Sequence, residues 1–395
     1  MKLHKFSSIV LIFSILIIFG CGENKRDYDI KDSDTSSTKT NESKFSAEIT
    51  AGIDSVLNQA MLNDSIPGIS GGIWIKDKGS TTFNKGVSDL STQKPRELTD
   101  YIRIGSITKT FIGTVFLQLC DEGKIALNDK LDKYYPQVPN AKDITMRELL
   151  NMTSGLQDYL NAPELDNAFF YERLKEYTDD EILSIAIKLP PMFPPGEPGK
   201  YHYSNTNYLL LGMIIDKVTN GKWQNEIDNR IIKKLGLKNT IVPVTPDMPE
   251  PYCHGYMKDS TGKVEDATKI SPTITGAAGC MISTIGDLTV YVKALDSGEL
   301  LSDTMQAERL KTIPTGTAPF LGYGLAILKI GSFYGHNGGI TGFNTSMYYS
   351  PELDAMFILN VNMFGPTGGV ADRIFSSLAE VIYPGQMPWD KKKAN

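Results

Sequence analysis

This chain has little of what metal-binding, nucleic-acid-binding or membrane-spanning proteins need. It holds only four cysteines and four histidines in 395 residues, without zinc-site spacing or a His-Glu-x-x-His motif. Its net charge of -6 offers no clustered basic face for nucleic acid. The apolar run at residues 9–19 is too short to cross a bilayer comfortably. We therefore expect no metal, no cofactor and no nucleic-acid partner.

The N-terminus has the pattern of an export signal. Lys2 and Lys5 precede the apolar run, and Ile-Phe-Gly-Cys at residues 18–21 resembles a bacterial lipobox ending in Cys21. Residues 1–20 are predicted to be a lipoprotein signal peptide, with Cys21 as the lipidation site and membrane anchor. An ordinary signal peptide or an uncleaved anchor is the alternative. We expect the protein in the cell envelope, on the periplasmic or surface side of a membrane.

Residues 21–44 are rich in Asp, Lys, Ser, Thr and Asn. Such a segment has almost nothing to bury, so we predict a flexible tether. Cys120, Cys253 and Cys280 follow in the remaining chain. Export would permit one disulfide among them. Cys120 is predicted to be a small buried hydrophobic side chain, whereas pairing of Cys253 with Cys280 stays open.

Residues 45–385 are predicted to form one domain of the α/β class. Strand patterns occur near both ends of this region, and a mostly helical stretch lies between them. One antiparallel sheet built from both chain ends, covered by helices and carrying an inserted all-helical lobe, satisfies this order. The predicted helices are 47–62, a helix beginning near Ser106, 207–218 and 370–382, and the predicted strands are 69–77, 81–87, 323–330, 332–335, 344–349 and 355–361.

One of four Ser-x-x-Lys matches differs from the others. The matches begin at Ser36, Ser91, Ser106 and Ser260, but only Ser106 follows a glycine and opens a long apolar run with helical spacing. A serine in the first turn of a helix gains the N-terminal dipole, which favours a developing alkoxide. Lys109 lies one turn further on, and a lysine in a dry site can lose its proton and act as a base.

Two further patterns follow, Tyr-Ser-Asn at residues 203–205 and His-Asn-Gly-Gly at residues 336–339. Each is weak alone, and an isolated Ser-x-x-Lys is more often a capping serine followed by a solvated lysine. Together the three supply a nucleophile, two candidate bases and a backbone anion site. These are the parts needed for acyl transfer through a covalent intermediate.

Five stretches in this order resemble the serine β-lactamase and penicillin-binding superfamily. They fall on the side of the class C β-lactamases, D-alanyl-D-alanine carboxypeptidases and related esterases, and lie at residues 104–111, 149–156, 195–205, 278–284 and 334–339. The resemblance runs from about residue 45 to about residue 383. It implies a two-lobed α/β fold with the active site in the cleft between the lobes.

The resemblance also implies roles for four residues of the first two patterns. Ser106 would be the nucleophile and Lys109 the nearest base. Tyr203 would be the second base and the carrier of a proton to the leaving group. Its phenol normally ionises near ~10, so it would need neighbouring positive charge to act as a base at neutral pH. Asn205 would hold the substrate carbonyl or orient Lys109.

The third pattern departs from the β-lactamases. His336 stands where they usually place a lysine that helps bind the substrate carboxylate. Because histidine is largely neutral near pH 7, we expect a weaker, switchable anchor, an ionisation near pH ~6.5 and inefficient β-lactam hydrolysis. Gly338 and Gly339 would let the backbone approach the substrate, and the N–H groups of Ser106 and Gly339 would form the oxyanion hole.

Competing motifs are weaker. Gly-x-Ser-x-Gly around Ser70 matches a hydrolase elbow, but a strand should follow it where the elbow needs a helix. A second Tyr-x-Asn begins at Tyr159, without the preceding Pro-Gly and the following helix. Lys-x-Gly occurs at Lys234, in the helical region, and at Lys329, which ends a predicted strand. His202, beside Tyr203, is expected to be structural or to support the site.

We expect a serine hydrolase that works through an acyl-enzyme on Ser106. A D-Ala-D-Ala carboxypeptidase-like or esterase-like activity on amides or esters is the first interpretation. The alternatives are a class C-like β-lactamase and a penicillin-binding sensor that traps acyl groups without turnover. The expected partner is a small molecule or peptide, such as a peptidoglycan-type peptide, a β-lactam or an ester, and oligomerisation stays open.

Overall fold

The computed structural model describes residues 45–259, 261–364 and 369–389. The predicted signal peptide, Cys21 and the tether lie outside the described residues, as do Ser36 and Ser260. Within the described ranges, no helix combines the length and the apolar composition needed to span a bilayer.

The N-terminal part begins with a capped helix that leads into a hairpin. The Ser46 side chain accepts a hydrogen bond from the Ile49 N–H at 3.3 Å, which satisfies one free donor of the first turn. Ser65 ends the helix in a left-handed conformation. The elements are α1 Ala47–Asp64, β1 Gly68–Ile75, β2 Gly79–Asp89, β3 Lys94–Pro95 and β4 Ile102–Arg103. The predicted helix 47–62 and the two predicted strands are confirmed.

The middle of the chain is mainly helical. Thr178 and Glu181 form a reciprocal capping box at the start of one helix. The helices are α2 Thr108–Asp121, preceded by the 3-10 turn Gly105–Ile107, α3 Met146–Leu150, α4 Pro163–Phe170, α5 Asp179–Ala186, α6 Asn205–Thr219, α7 Trp223–Ile227 and α8 Lys233–Leu235. Further 3-10 turns cover Leu131–Lys133 and Tyr159–Asn161, and a π-helical turn covers Asp228–Ile232.

The expectation of an all-helical inserted lobe is wrong in one respect, because short strands interrupt it. Strand β5 Tyr256–Lys258 pairs with β6 Val264–Asp266, and β7 Ile282–Ser283 pairs with β4. The segment also contains α9 Pro272–Gly279, α10 Ile285–Ser297 and α11 Asp303–Leu310. Strands of two or three residues are too short for a period-2 pattern to reveal.

The C-terminal part supplies most of the sheet. Its elements are β8 Ile313–Pro314, β9 Leu321–Tyr323, β10 Leu328–Ile330, β11 Phe333–Ile340, β12 Phe343–Ser350, β13 Ala355–Val361, β14 Met363–Phe364 and α12 Val370–Ile382. The predictions of a closing helix at 370–382 and of strands at 344–349 and 355–361 are confirmed. The predicted strands 323–330 and 332–335 differ from the structure.

The predicted strand 323–330 is broken in the middle. The Leu325 and Ala326 N–H groups donate to the carbonyls of Arg309 and Leu150, so they leave the sheet ladder. Ala326 has a φ of +59°, and its methyl group lies 2.1 Å from where a Cβ on Gly113 would stand. Close packing against α2 therefore separates β9 from β10. This tertiary contact cannot be predicted from the hydrophobic periodicity of the sequence.

The predicted strand 332–335 is too short, because β11 continues through Ile340. Its Asn-Gly-Gly residues pair with β12 in regular antiparallel register, from His336 opposite Met347 to Ile340 opposite Phe343. Glycine and asparagine are unfavourable in strands, so strand propensity placed the predicted end of this strand too early. The pairing with β12 places the whole His-Asn-Gly-Gly motif in the sheet.

Within the described ranges, nine strands form one sheet in the order β3-β2-β1-β13-β12-β11-β10-β9-β8. Every neighbouring pair is antiparallel, and β1 from the start of the chain pairs with β13 from its end. Helices α10 and α12 both contact β12 and β13, and all seven residues of β13 are buried. The predicted α/β class, with an antiparallel sheet built from both chain ends and covered by helices, is confirmed.

The serine helix lies between the helical part and the sheet. α2 packs on α6, α7 and α9, while the preceding 3-10 turn contacts β11. Most of α2 is buried, including Lys109. Among the described residues, Cys120, Cys253 and Cys280 are all free thiols, and Cys120 is only partly buried. The described structure therefore forms no disulfide.

Candidate active site

Ser106 lies in the 3-10 turn that leads into α2. Gly105 before it has a φ of +52°, a left-handed conformation that glycine adopts at low cost. The Ser106 side chain accordingly stands at the helix N-terminus, where the dipole favours negative charge on its oxygen. Only 4 % of Ser106 is exposed, so a substrate would meet this hydroxyl in a largely dry site.

The backbone of β11 presses against the serine turn. A Cβ on Gly338 would stand 1.8 Å from the Ile104 carbonyl oxygen and 3.1 Å from the Ser106 nitrogen. A Cβ on Gly105 would stand 2.9 Å from the Gly339 nitrogen. Only residues without side chains permit this approach. The two backbone nitrogens predicted to form the oxyanion hole, those of Ser106 and Gly339, therefore lie on segments in direct contact.

Lys109 lies one helical turn beyond Ser106 and is fully buried. Its Nζ lies 3.0 Å from Ser106 Oγ, 2.7 Å from Asn205 Oδ1 and 2.7 Å from the Ala278 carbonyl oxygen. Burial lowers the pKa of the Lys109 ammonium, and the Asp158 carboxylate opposes this shift. The Lys109 amine therefore lies within hydrogen-bond distance of Ser106 Oγ and holds its proton less tightly than an exposed lysine does.

Asn205 joins Lys109 to a carboxylate that the sequence did not reveal. This asparagine begins α6, and its Nδ2 donates to Asp158 Oδ2 at 2.9 Å. Burial raises the pKa of the Asp158 carboxyl, while hydrogen bonds and Lys109 oppose the shift. Of the two predicted roles for Asn205, the structure shows a contact with Lys109, and contact with the substrate carbonyl stays a prediction.

Tyr203 lies over the same amine, with its ring centroid 4.9 Å from Lys109 Nζ. Burial raises the pKa of the Tyr203 phenol well above its ordinary value, although a hydrogen bond with Ser106 lowers it. The resting side chain is therefore a neutral phenol. A neutral phenol can donate its proton, but it can act as a base only after it has lost that proton.

His336 is buried on β11, with both ring nitrogens engaged. Its Nδ1 lies 2.5 Å from the Asn337 carbonyl oxygen, and its Nε2 lies 3.0 Å from the Tyr323 hydroxyl. A carbonyl can only accept, so Nδ1 carries the proton and Nε2 accepts from Tyr323. Burial lowers the pKa of His336 to about 3, and the Lys109 charge contributes. The predicted ionisation near neutral pH is therefore contradicted.

A neutral pocket opens beside His336. It is lined by Tyr201, Tyr203, Thr315, Thr317, Leu321, Tyr323, Leu328, His336 and Asn337. None of these described lining residues is an arginine or a lysine. The rings of Tyr203, Tyr323 and His336 contact one another, with centroids 5.7 to 6.3 Å apart. The wall therefore presents aromatic rings and hydroxyl groups and carries no formal charge.

The 149–156 motif supports the Tyr-Ser-Asn segment. The Ser154 hydroxyl donates to Asn207 Oδ1 at 2.7 Å, and the Tyr208 hydroxyl donates to the Leu150 carbonyl at 3.0 Å. The His202 N–H donates to the Met152 carbonyl at 3.1 Å. These bonds fix the start of α6, and with it the positions of the Tyr203 and Asn205 side chains.

Sequence reasoning did not find three supporting residues, Asp158, Tyr323 and Asp372. Asp372 on α12 is buried and accepts hydrogen bonds from Asn337, Ser346 and Tyr348. It therefore ties the second residue of the His-Asn-Gly-Gly motif to the C-terminal helix. Asp158 adjoins the 149–156 motif, which was the available signal, whereas Tyr323 and Asp372 meet the site only through folding.

The competing motifs lie elsewhere. Ser70 is buried in the middle of β1, so it is not on a strand-to-helix elbow. Tyr159 is buried and its hydroxyl donates to the Ile274 carbonyl at 2.9 Å. Lys234 lies in α8. Lys329 precedes the turn at Gly331, whose φ is +60°, as expected for a hairpin. Within the described ranges, no three His, Cys, Asp or Glu side chains group as metal ligands.

The sequence profile of the beta-lactamase family matches residues 53–379. The chain is 32% identical to a D-stereospecific amidohydrolase from Streptomyces sp., with a TM-score of 0.75 over 85% of this chain and 99% of that one. A D-amino acid amidase from Ochrobactrum anthropi SV3, solved with L-phenylalanine amide, is 25% identical with a TM-score of 0.75, covering 85% and 98%.

Curated relatives include penicillin-binding proteins by name. PbpX of Bacillus subtilis (strain 168) is 28% identical over 317 residues, which cover 79% of this chain and 75% of PbpX. Protein flp of Staphylococcus aureus (strain N315) is 30% identical over 253 residues, and the match spans 61% of this chain but only 48% of flp. The family profile covers most of the chain and includes all three motifs, so this protein belongs to the beta-lactamase family.

Proposed function

We propose that this protein is a serine hydrolase that cleaves amides or esters through an acyl-enzyme on Ser106. The observation that carries the proposal is the position of the Lys109 amine, 3.0 Å from Ser106 Oγ and buried so that its pKa falls. A buried amine beside a helix-terminal serine is the activated nucleophile that acyl transfer requires.

The proposed reaction proceeds in two stages. Neutral Lys109 takes the Ser106 proton as Oγ bonds to the substrate carbonyl carbon, and the N–H groups of Ser106 and Gly339 bind the resulting oxyanion. The proton then passes to the leaving amine or alcohol, with Tyr203 as the carrier, and the carbonyl–leaving-group bond breaks. Water subsequently attacks the acyl-enzyme by the reverse proton path and restores Ser106.

The substrate is proposed to lack a free carboxylate next to the scissile bond. The pocket beside His336 is lined by tyrosines, threonines and a neutral histidine, among other uncharged residues, and a carboxylate placed against these groups would lose its hydration without a counter-charge from them. The names of the Streptomyces and Ochrobactrum relatives, an amidohydrolase and an amidase specific for D-residues, support amides of D-amino acids over a carboxypeptidase substrate.

A matched pair of peptides tests this proposal. One is an acylated D-Ala-D-Ala peptide with its free carboxylate, and the other is the same peptide with a terminal carboxamide. We expect kcat/KM to favour the carboxamide by roughly tenfold to a hundredfold, the range for one unpaired polar or charged group. D-phenylalanine amide, a nitrophenyl ester and a penicillin complete the panel, each followed by burst and steady-state kinetics.

Each alternative has its own result in that panel. Faster turnover of the free-carboxylate peptide would indicate a carboxypeptidase and overturn the neutral-substrate proposal. Fast steady-state hydrolysis of the penicillin would indicate a β-lactamase. A stoichiometric burst without turnover on every substrate would indicate an acyl-trapping sensor.

His336→Gln is expected to leave the pH profile of ester hydrolysis unchanged between pH 5 and pH 8. His336 has its pKa lowered to about 3 by burial, so it is neutral over this range, and glutamine is also neutral and can accept from Tyr323. The measurement is kcat/KM against pH for both proteins. An ionisation near pH 6.5 that disappears in the variant would show instead that His336 titrates, as expected of a switchable anchor for a substrate carboxylate.

We keep the export route as a proposal as well. Lipidation of Cys21 and attachment to a membrane in the cell envelope rest on the lipobox pattern at residues 18–21. Intact mass of the mature protein purified from membranes, compared with Cys21→Ser, tests this part independently of activity.

A further inference from the structure

Asp158 lies directly behind the catalytic groups without touching the nucleophile. It precedes the 3-10 turn Tyr159–Asn161 and caps it, because its Oδ1 accepts from the Leu160 N–H at 3.1 Å. Its side chain is buried, with only 4 % of the residue exposed. Both carboxylate oxygens also contact one nitrogen, Asn205 Nδ2, at 2.9 and 3.3 Å. Capping of the 3-10 turn needs only the contact with the Leu160 N–H, so the contacts with Asn205 serve something else.

The carboxylate determines which way the Asn205 amide points. An amide has a donor end and an acceptor end of nearly equal shape, and its orientation follows from its partners. An ionised carboxylate only accepts, so the NH2 group of Asn205 must face Asp158. Its oxygen then faces Lys109 Nζ at 2.7 Å. The reversed amide would place N–H groups against the Lys109 amine and an oxygen against the carboxylate.

The amide orientation in turn determines where the Lys109 lone pair points. Asn205 Oδ1 and the Ala278 carbonyl can only accept, so they take two N–H bonds from Lys109. A neutral amine has two N–H bonds and one lone pair. The lone pair is left for the third neighbour, the Ser106 hydroxyl at 3.0 Å. This is the arrangement in which Lys109 accepts the serine proton.

We propose that Asp158 is a positioning residue that orients the Lys109 base toward Ser106 by fixing the Asn205 amide. The inference rests on the proposed acyl-enzyme function and adds a residue to it. Asp158 itself contacts neither the substrate nor Ser106.

The charge of Asp158 has an effect opposite to its orienting role. The groups that interact with this carboxylate are Lys109, Tyr203 and Tyr159. A negative charge near Lys109 favours the ammonium and raises the pKa of the amine. Removing it should make Lys109 easier to deprotonate while its lone pair loses direction. The maximum rate and the apparent pKa of the acid limb should therefore both fall.

The test measures acylation of Ser106 by a fluorophosphonate and by a nitrophenyl ester from pH 5 to pH 10. Asp158→Asn keeps the shape but can present N–H groups to Asn205. Asp158→Ser keeps a capping oxygen for Leu160 but has no carboxylate to reach Asn205. For both variants we expect maximal acylation to fall roughly tenfold to a hundredfold, the cost of a misplaced catalytic group. We expect the acid limb to move down by about one pH unit.

Two controls make the result specific. Asp166→Asn removes a partly buried carboxyl from α4, whose pKa is raised by burial alone, and should leave both quantities unchanged. In an Asn205→Ala background, Asp158→Ser should cause no further loss of rate, because its effect passes through the amide.

Equal rates and an unmoved acid limb in Asp158→Ser would overturn the inference, as would full additivity with Asn205→Ala. A fall in rate without a shift of the acid limb would reduce Asp158 to a structural cap. Should Asp158→Asn not fold, Asp158→Ser decides alone, since it retains the cap. The proposed function fails separately, if the wild-type protein is not labelled on Ser106.

Discussion

Ser106→Ala is expected to abolish covalent labelling by a fluorophosphonate and to lower ester turnover by a factor on the order of 10⁶, the loss seen when a catalytic serine is removed. The hydroxyl lies at a helix N-terminus 3.0 Å from the Lys109 amine, which is the arrangement expected of an activated nucleophile. Intact mass and peptide mapping of the labelled protein check the result, with thermal unfolding as a measure of folding.

Ser70→Ala is the matched control for this prediction. Ser70 belongs to the rival Gly-x-Ser-x-Gly motif, and in the described part of the chain its buried hydroxyl has no hydrogen-bond partner. Removing an unpaired buried hydroxyl costs little stability, so labelling should stay at the wild-type level. Labelling that persists in Ser106→Ala, or that maps to Ser70, would contradict the assignment.

Lys109→Ala should lower acylation by roughly a hundredfold to ten-thousandfold, the usual contribution of a general base. In the wild-type protein acylation should rise with pH as Lys109 loses its proton. Because burial lowers its pKa, this limb should lie well below ~10.4, the ordinary value for lysine. The limb should be absent from the alanine variant. Burst rates with an activated ester across pH 5 to 10 measure both effects.

Lys109→Arg separates the base from the charge. Arginine keeps the positive charge but cannot lose its proton in proteins, so a base role predicts a loss as large as in the alanine variant. Substantial activity in Lys109→Arg would mean that the cation alone supports the reaction. Tyr203 would then be left as the base, and Tyr203→Phe would carry the larger loss.

Much of this protein could be predicted from its sequence. Helices 47–62 and 370–382, the hairpin near residue 78 and the strands after residue 343 follow from local periodicity and turn residues. The sheet built from both chain ends follows from the order of those elements. The three motifs converge as expected. Ser106 and Asn205, from the first two motifs, both contact Lys109, and the backbone of the third motif packs against the turn that carries Ser106.

The sequence was a poor guide wherever a long-range contact overrode a local preference. Close packing of Gly113 on Ala326 broke a predicted strand. Pairing with β12 extended another through Asn337 and two glycines. Burial removed the expected titration of His336. In each case the deciding atom belongs to a residue distant in the chain.

By itself, then, the sequence determined the fold class and pointed to a candidate nucleophile and candidate bases, because short motifs and hydrophobic periods are local properties. Only the tertiary structure decided the charge states and orientations of these groups. Desolvation of Lys109 and His336, and the Asp158 carboxylate that turns the Asn205 amide, depend on which surfaces meet when the helices close over the sheet. The chemistry of the site is therefore set by burial and by hydrogen-bond direction, which no single motif encodes.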